Sequence, residues 1–299
     1  MSAGNRAQRW LVHAVLIVGS LIMMYPLVFA GAVSLMTEVE YSRVTWLPIP
    51  NRLYLDNYLL FFQAAAADIW RWTFNTLIRI VWTIVVPGTI SILCGYVFAR
   101  LRFPGRQFAF MLLLGSLLLP GIVFQVPLYV MLARWPLAGG NDWLGQGGSG
   151  FINEWPALLL PGLVNAYQIF FFRQSFYAIP SDYEDAARVD GANTLQVLWY
   201  VYLPMLAPAI AVMVIFSAVG LWNDYVWPWI SVGGNPEIWP VALGFQQIMA
   251  QAVKVPGLGF ANYPFLLTVA TLASLPPVLL FLVLQRYFIQ GIQGFGIKG

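Results

Sequence analysis

Few residues in this chain could carry out bond chemistry, and they are scattered. His13 is the only histidine and Cys94 the only cysteine, which removes HExxH zinc sites, His-based triads and any intrachain disulfide. The lysines, Lys254 and Lys298, are followed by Val255 and Gly299, so neither completes a GxxxxGK[ST] phosphate loop. The expectation is a chain with no cofactor and no metal that catalyses nothing itself and takes any nucleotide energy from a partner. The informative polar residues are those in apolar stretches. Asp224 follows Asn223, with Trp222, Tyr225 and Trp227 around them. Carboxylate and amide groups beside aromatic rings suit a sugar, whose hydroxyls need acceptors and whose C–H faces stack on rings. An ionisable group inside a membrane span costs about 2.5–3.5 kcal/mol and marks a candidate pathway residue, whereas at the water boundary it costs little. Asn165, Tyr167, Gln168 and Gln125 are further polar groups in apolar runs, each equally suited to a helix–helix hydrogen bond. Asn165, Gln168, Trp222, Asn223 and Asp224 are the candidate substrate-pathway residues. None is basic, which leans toward a neutral solute.

The second informative stretch is PSDYEDAARVDGANTLQVLWYVYLP, from Pro180 to Pro204. Ser181 and Glu184 have capping-box spacing, and Asp182, Glu184 and Asp185 favour the positive end of the helix they open. Gly191 can take the left-handed conformation that stops this helix after Asp190. A second short helix is predicted from Asn193 or Thr194 to Tyr202. The product is a helix–turn–helix with an apolar side of Tyr183, Ala186, Ala187, Leu195, Leu198 and Trp199.

The elements that hold these residues follow from composition. The chain has 299 residues, 60% hydrophobic and 9% charged, against about 25% charged in a soluble domain. A soluble globular enzyme and a disordered chain are both excluded. The formal charge of +3, almost all of it arginine around hydrophobic blocks, argues for membrane orientation and not for nucleic-acid binding. A span needs about 20 mostly apolar residues, and six stretches qualify: 11–36, 74–99, 108–133, 155–177, 204–230 and 264–284. They form one permease domain, all-α and polytopic, with the helix–turn–helix at 180–203 between spans four and five. Interior prolines (Pro26, Pro87, Pro120, Pro127, Pro161, Pro208, Pro276 and Pro277) are tolerated where neighbours re-satisfy the freed carbonyls. They fit kinks around a cavity and ordinary packing kinks equally.

Arg6, Arg9, Arg100, Arg102, Arg106, Arg173, Arg188, Arg286 and Lys298 fall on one side of these spans. Arg43, Arg52, Arg71, Arg134 and Lys254 lie on the other, in longer loops. The positive-inside rule then places both termini in the cytoplasm. The first apolar run is too long for a secretory signal core and is read as an uncleaved anchor, despite Ala30-Gly31-Ala32. Residues 56–72 are predicted as an amphipathic interfacial helix capped by Asp56, and the Gly-rich 137–154 as a flexible connection.

The stretch at 180–204 resembles the EAA loop of ABC importer permeases, with the pattern EAA, three residues, Gly, nine residues, Ile-x-Leu-Pro. Asp185-Ala186-Ala187, Gly191 and Val201-Tyr202-Leu203-Pro204 keep that spacing, with Asp for Glu and Val for Ile. YVFARLRFPGR at 96–106, LLLPGIVFQVPLYVML at 117–132, WNDYVWP at 222–228 and QRYFIQGIQGFGIKG at 285–299 are similar to sugar-import permeases of the maltose-transporter type. The resemblance implies a prokaryotic inner-membrane permease that imports a carbohydrate by alternating access. Its implied partners are a second, homologous permease, two ATPase subunits and an extracytoplasmic solute-binding protein. It assigns ATPase coupling to Glu184, Asp185, Ala186, Ala187, Asp190, Gly191, Leu203 and Pro204, with a further contact from the tail at 291–299. The alternatives are an importer of a non-sugar solute such as a glycerophosphate, or an ion-coupled secondary transporter. The latter would usually carry several carboxylates or histidines in its spans and an inverted repeat, and neither is evident. An intramembrane enzyme would need a cluster of His, Glu or Ser-Lys, which is absent.

Overall fold

The computed structural model describes residues 3–65, 68–252 and 262–295, and every regular element among them is helical. The elements fall into two units by their internal contacts, Met1–Asp68 with Phe245–Pro276 and Ile69–Gly244 with Pro277–Gly299.

In the first unit, α1 (Ala3–Val33) is followed by the short α2 (Glu38–Tyr41) and by α3 (Asp56–Ala65). Side chains from Trp10 to Val28 on α1 are largely exposed, as suits an apolar helix whose solvent is lipid. The chain after α1 is held by polar ties. Buried Asn57 donates to Ser34 O and Met36 O at 3.0 and 2.9 Å, and Thr268 donates to Ser34 O at 3.2 Å. The helix predicted over 56–72 is shorter than expected. It ends at Ala65, and Ile69–Trp72 open the next helix instead.

The second unit is built on α4 (Ile69–Arg100), which runs unbroken through Pro87. Then come α5 (Arg106–Leu117), a 3₁₀ turn (Gly121–Phe124) and α6 (Gln125–Ala133). These halves of the third predicted span meet at 96°. Pro120, at φ −60° and ψ 129°, cannot donate to the α5 ladder and leaves the helical region there. The fourth predicted span is also divided, into α7 (Trp155–Leu159) and α8 (Ala166–Tyr177), with Pro161 in the break. The carbonyls released at the end of α7 are met by indoles. Trp227 Nε1 donates to Ala157 O and Trp82 Nε1 to Leu159 O, each at 2.9 Å. α8 packs closely on α4, where Gly95 brings its backbone so near Phe172 that an added Cβ would lie 2.7 Å from the Phe172 Cβ.

Next are α9 (Asp182–Val189), α10 (Thr194–Gln196), a π-helical turn (Val197–Tyr202), α11 (Leu203–Met205), α12 (Ala207–Trp222) and α13 (Val226–Val232). The Thr194–Met205 segment meets α12 at 71°. Pro204 and Pro208 lack the N–H groups a regular α-ladder would use here, and a π turn is a common way to absorb such an interruption. Last come α14 (Val241–Ala252) and α15 (Tyr263–Phe295). Gln8–Val33, Ile69–Arg100 and Tyr263–Val283 are each long and apolar enough to cross a membrane, and the two bent pairs bring the number to five. Prolines thus bend or break the chain at Pro120 and Pro161, whereas Pro26 and Pro87 sit in continuous helices.

The Gly-rich stretch at 137–154 is ordered, not a flexible connection. Asn141 Nδ2 donates to Ala133 O and Trp135 O at 2.9 and 3.0 Å, and its Oδ1 accepts from Gly148 N at 2.8 Å. Gly150 sits at φ +58°, with its backbone against Leu132 O where no side chain would fit. The glycines here permit tight backbone packing, which composition alone cannot distinguish from mobility.

Candidate functional site

Two sites emerge, both in the second unit. One is a cavity of about 580 Å³ lined by α4 (Arg79, Thr83), α8 and the turn before it (Asn165, Gln168), α12 (Ser217) and the residues after it (Asp224, Trp227). Asn165, Gln168 and Asp224 therefore share one wall system. Trp222 and Asn223 do not line it, and Asn223 Nδ2 folds back to donate to Val219 O at 2.9 Å. Asn165 Oδ1 caps α8 by accepting from Gln168 N at 3.1 Å. Gln168 ties three helices together, accepting from Ser91 on α4 and donating to Ser217 on α12, both at 3.2 Å. This is the helix–helix use of an intramembrane amide. Gln125 lies elsewhere, in a shallow surface depression with Tyr129.

The cavity also holds a basic group, Arg79, that the polar candidates above do not include. Arg79 is 3% exposed, and its Nη2 donates to Asp224 Oδ2 at 2.5 Å. A lone arginine early in an apolar run is as costly as a carboxylate there, and that cost was the available signal. Its partner stands 145 positions away along the chain, so spacing could not pair them. The absence of a basic group no longer supports a neutral solute.

The second site is the knob at 180–204. Its turn is built as expected. Gly191 adopts φ +86° in open space, its N–H donates to Arg188 O at 3.0 Å, and Ala192 N donates to Ala187 O at 2.9 Å. Backbone conformation, not room, demands glycine there. The predicted capping box is displaced, however. Ser181 makes no side-chain cap, and the reciprocal box forms at Asn193 and Gln196, where each side chain bonds the other residue's N–H at 2.8–2.9 Å. Glu184 is unavailable to Ser181 because stronger donors hold it. Arg188 contributes Nε and Nη2 at 3.0 and 2.7 Å, and Tyr202 its hydroxyl at 2.7 Å.

Tyr202 is fully buried and contacts the rings of Tyr96 and Phe176. The Arg100 guanidinium lies over its ring, 5.0 Å from the centroid, and donates to Phe176 O and Ile179 O at the end of α8. Arg100, at the last position of α4, thus joins α4, α8 and the π turn. Burial pushes the Glu184 carboxyl up, but the bonds from Tyr202 and Arg188 outweigh it and hold the group below the usual range.

Most of the remaining knob residues lie outside this lock. Asp185, Ala186, Asp190, Gly191 and Pro204 are exposed, while Ala187 and Leu203 are half-buried, Ala187 against the Tyr202 cluster. Of the predicted apolar side, Leu198 is buried, and Tyr183, Leu195 and Trp199 are exposed, joined by Val189 and Tyr200. The side chain of every residue past Val283 lies outside the described residues, as does the structure of 296–299, so the predicted tail contact is not addressed.

Apolar helices broken around a cavity, with a polar-rimmed knob between two of them, are the arrangement of a membrane transport component. The chain belongs to the family of binding-protein-dependent transport system inner membrane components, which matches residues 88–294. It is 29% identical over 263 residues to an arabinooligosaccharide transport system permease of Halalkalibacterium halodurans, covering 88% of this chain and 86% of that one. It is 25% identical to an sn-glycerol-3-phosphate transport system permease of Brucella suis, over 94% of both, and 26% identical to a diacetylchitobiose uptake system permease of Streptomyces coelicolor, over 92% and 84%. A chain of a bacterial ABC transporter that imports the acidic polysaccharide alginate shares the fold, with a TM-score of 0.75 over 96% of this chain and 99% of that one at 20% identity.

Proposed function

We propose that this chain is one permease half of an ATP-driven importer that brings a carbohydrate into the cytoplasm. It works beside a second, homologous permease, two ATPase subunits and an extracytoplasmic solute-binding protein. Both termini and the knob face the cytoplasm. The observation that carries this is the knob. Its carboxylate Glu184 is consumed internally, while Val189 and Trp199 stay exposed on the same segment as the exposed Asp182, Asp185 and Asp190. An apolar patch with a charged rim on a rigid support is a protein-docking surface, and the ATPase is the partner that a transport family of this kind requires.

The mechanism follows from those contacts. The ATPase dimer closes on binding ATP and displaces the knob. Glu184 passes the displacement to Tyr202, and Tyr202 and Arg100 pass it to the ends of α8 and α4. Those helices wall the cavity, which turns outward to receive solute from the binding protein. The test is uptake of radiolabelled sugars by proteoliposomes carrying the complete complex with ATP at the cytoplasmic face. The expected result is ATP-dependent uptake of at least one of arabinotriose, lactose and diacetylchitobiose. Uptake that persists without ATP and follows an ion gradient would overturn the reading. Gly191→Pro cannot adopt φ +86° and loses the N–H that Arg188 O accepts. It should assemble, hydrolyse ATP and transport at under a tenth of the normal rate.

A further inference from the structure

We propose that the cavity between α4, α8 and α12 is a solute subsite in which Arg79 and Asp224 together grip two neighbouring hydroxyls of a neutral sugar. The proposal rests on the carbohydrate-import reading and assigns this half of the transporter a direct part in recognition. It begins with an imbalance. A guanidinium has five N–H donors; Arg79 is 3% exposed, one of its nitrogens bonds Asp224, and its Nε and Nη1 have no acceptor. Buried donors left this way are costly. The neighbouring polar groups cannot serve, because Gln168 is committed to Ser91 and Ser217, and Asn165 Oδ1 to the α8 backbone. The rest of the nearby wall is largely apolar, with Leu158, Met213 and Phe216 among it. Arg79 lines a cavity whose volume is in the range of small-ligand sites, with its unpaired nitrogens covered by the wall.

The chemistry of the pair selects the occupant. Its formal charge sums to zero, so a carboxylate or phosphate drawn to Arg79 would also meet the Asp224 carboxylate 2.5 Å from the guanidinium. A neutral vicinal diol meets neither penalty. Once the Arg79 side chain turns toward the cavity, each hydroxyl oxygen can accept a hydrogen bond from it, and each hydroxyl hydrogen can be donated to Asp224, whose side chain is 27% exposed and open to a further contact. Trp227 lines the same cavity with its indole fixed by the bond to Ala157 O, and adds apolar surface there for the sugar's C–H groups.

The experiment measures equilibrium binding to the assembled complex in nanodiscs, without binding protein, alongside the uptake assay above. The probes are arabinotriose, lactose and diacetylchitobiose, the same sugars lacking one hydroxyl of a vicinal pair, and two anions, glucuronate and sn-glycerol 3-phosphate. Wild-type complex should bind a neutral probe saturably, at least about tenfold more weakly when one hydroxyl is removed, and prefer it to both anions. The paired variant Arg79→Gln with Asp224→Asn leaves no unpaired buried charge and should lose binding by about tenfold or more, with normal complex yield. Tighter binding of an anion than of any neutral probe would overturn the assignment. So would unchanged binding in the paired variant, or ATP-driven uptake by wild-type complex that binds none of the probes. If the complete complex takes up no sugar at all, the carbohydrate reading fails first and the subsite with it. The deoxy-sugar comparison needs only wild-type protein, so it decides the question even where the variant does not assemble.

Discussion

At the scale of single residues, the knob turns on a carboxylate doing a different job from the one its spacing suggests. Glu184 ties α9 to the buried phenol of Tyr202, and hydrogen bonds to a charged group are worth about 1.5–3 kcal/mol. Tyr202→Phe keeps the ring contacts with Tyr96 and Phe176 and removes only that bond. ATP hydrolysis in the Phe variant should continue while solute uptake per ATP falls several-fold, as measured in the same proteoliposomes. Equal losses of both would show that the bond maintains the complex and does not transmit motion. The same group fixes a pH dependence. Because the folded Glu184 carboxyl sits below its ordinary value, its stabilising contribution is complete above the unfolded value of about 4.3 and is lost as pH falls through the lowered one. Protection factors of the α9 amides, corrected for the intrinsic pH dependence of exchange, should be constant from pH 7 to 5 and fall as the pH drops further, through the lowered value. In Glu184→Gln that acid step should be absent.

Among the elements, the broken ones carry the most information. α7 ends where its carbonyls would face a medium without water, and indole N–H groups from α4 and α13 meet them. Trp82→Phe leaves Leu159 O without its donor at 2.9 Å while keeping most of the apolar bulk. A hydrogen bond in this setting contributes about 1 kcal/mol. The thermal midpoint of the purified complex should therefore fall by a few degrees, with solute selectivity unchanged. A change in selectivity without a change in midpoint would place Trp82 among the recognition groups. The π turn has a comparable cause. Pro204 removes a ladder donor just past Tyr202, and the π turn Val197–Tyr202 that precedes it holds Tyr202 against Arg100 and Glu184.

Across the whole molecule, α4 links the two sites. Arg79 in the cavity and Arg100 at the lock lie 21 positions apart on one unbroken helix (100 − 79), or about 32 Å along its axis. That distance matches the thickness of a bilayer core, so on the proposed mechanism a helix with the ion pair in its first half and the α8 carbonyls at its last residue would report a movement of the knob to the cavity. The proposed orientation is tested by single cysteines in a Cys94→Ala background. Pro104→Cys and Val189→Cys should be shielded from an impermeant thiol reagent in intact cells, and Leu144→Cys should label. Labelling of Val189→Cys from outside would invert the topology and remove the knob from reach of any cytoplasmic ATPase.

The membrane class, the helical fold and the location of the knob were legible in the sequence, because apolar length, charge depletion and the Asp185-Ala186-Ala187 to Pro204 spacing are local properties of the chain. Gly191 was legible for the same reason, since a turn of that handedness constrains one residue type. Other features depended on groups far apart in sequence. Proline content did not say which prolines break a helix. Pro87 stays within α4, whereas the break containing Pro161 persists with its freed carbonyls held by Trp82 and Trp227. Glycine content at 137–154 read as mobility until Asn141 was seen to tie the loop to Ala133 and Trp135. Asp224 stood out by its setting, but the tertiary structure alone decided that Arg79 faces it and that two of its nitrogens remain unpaired. Periodicity and composition act over a few turns, whereas a buried ion pair joins whichever helices the packing brings together.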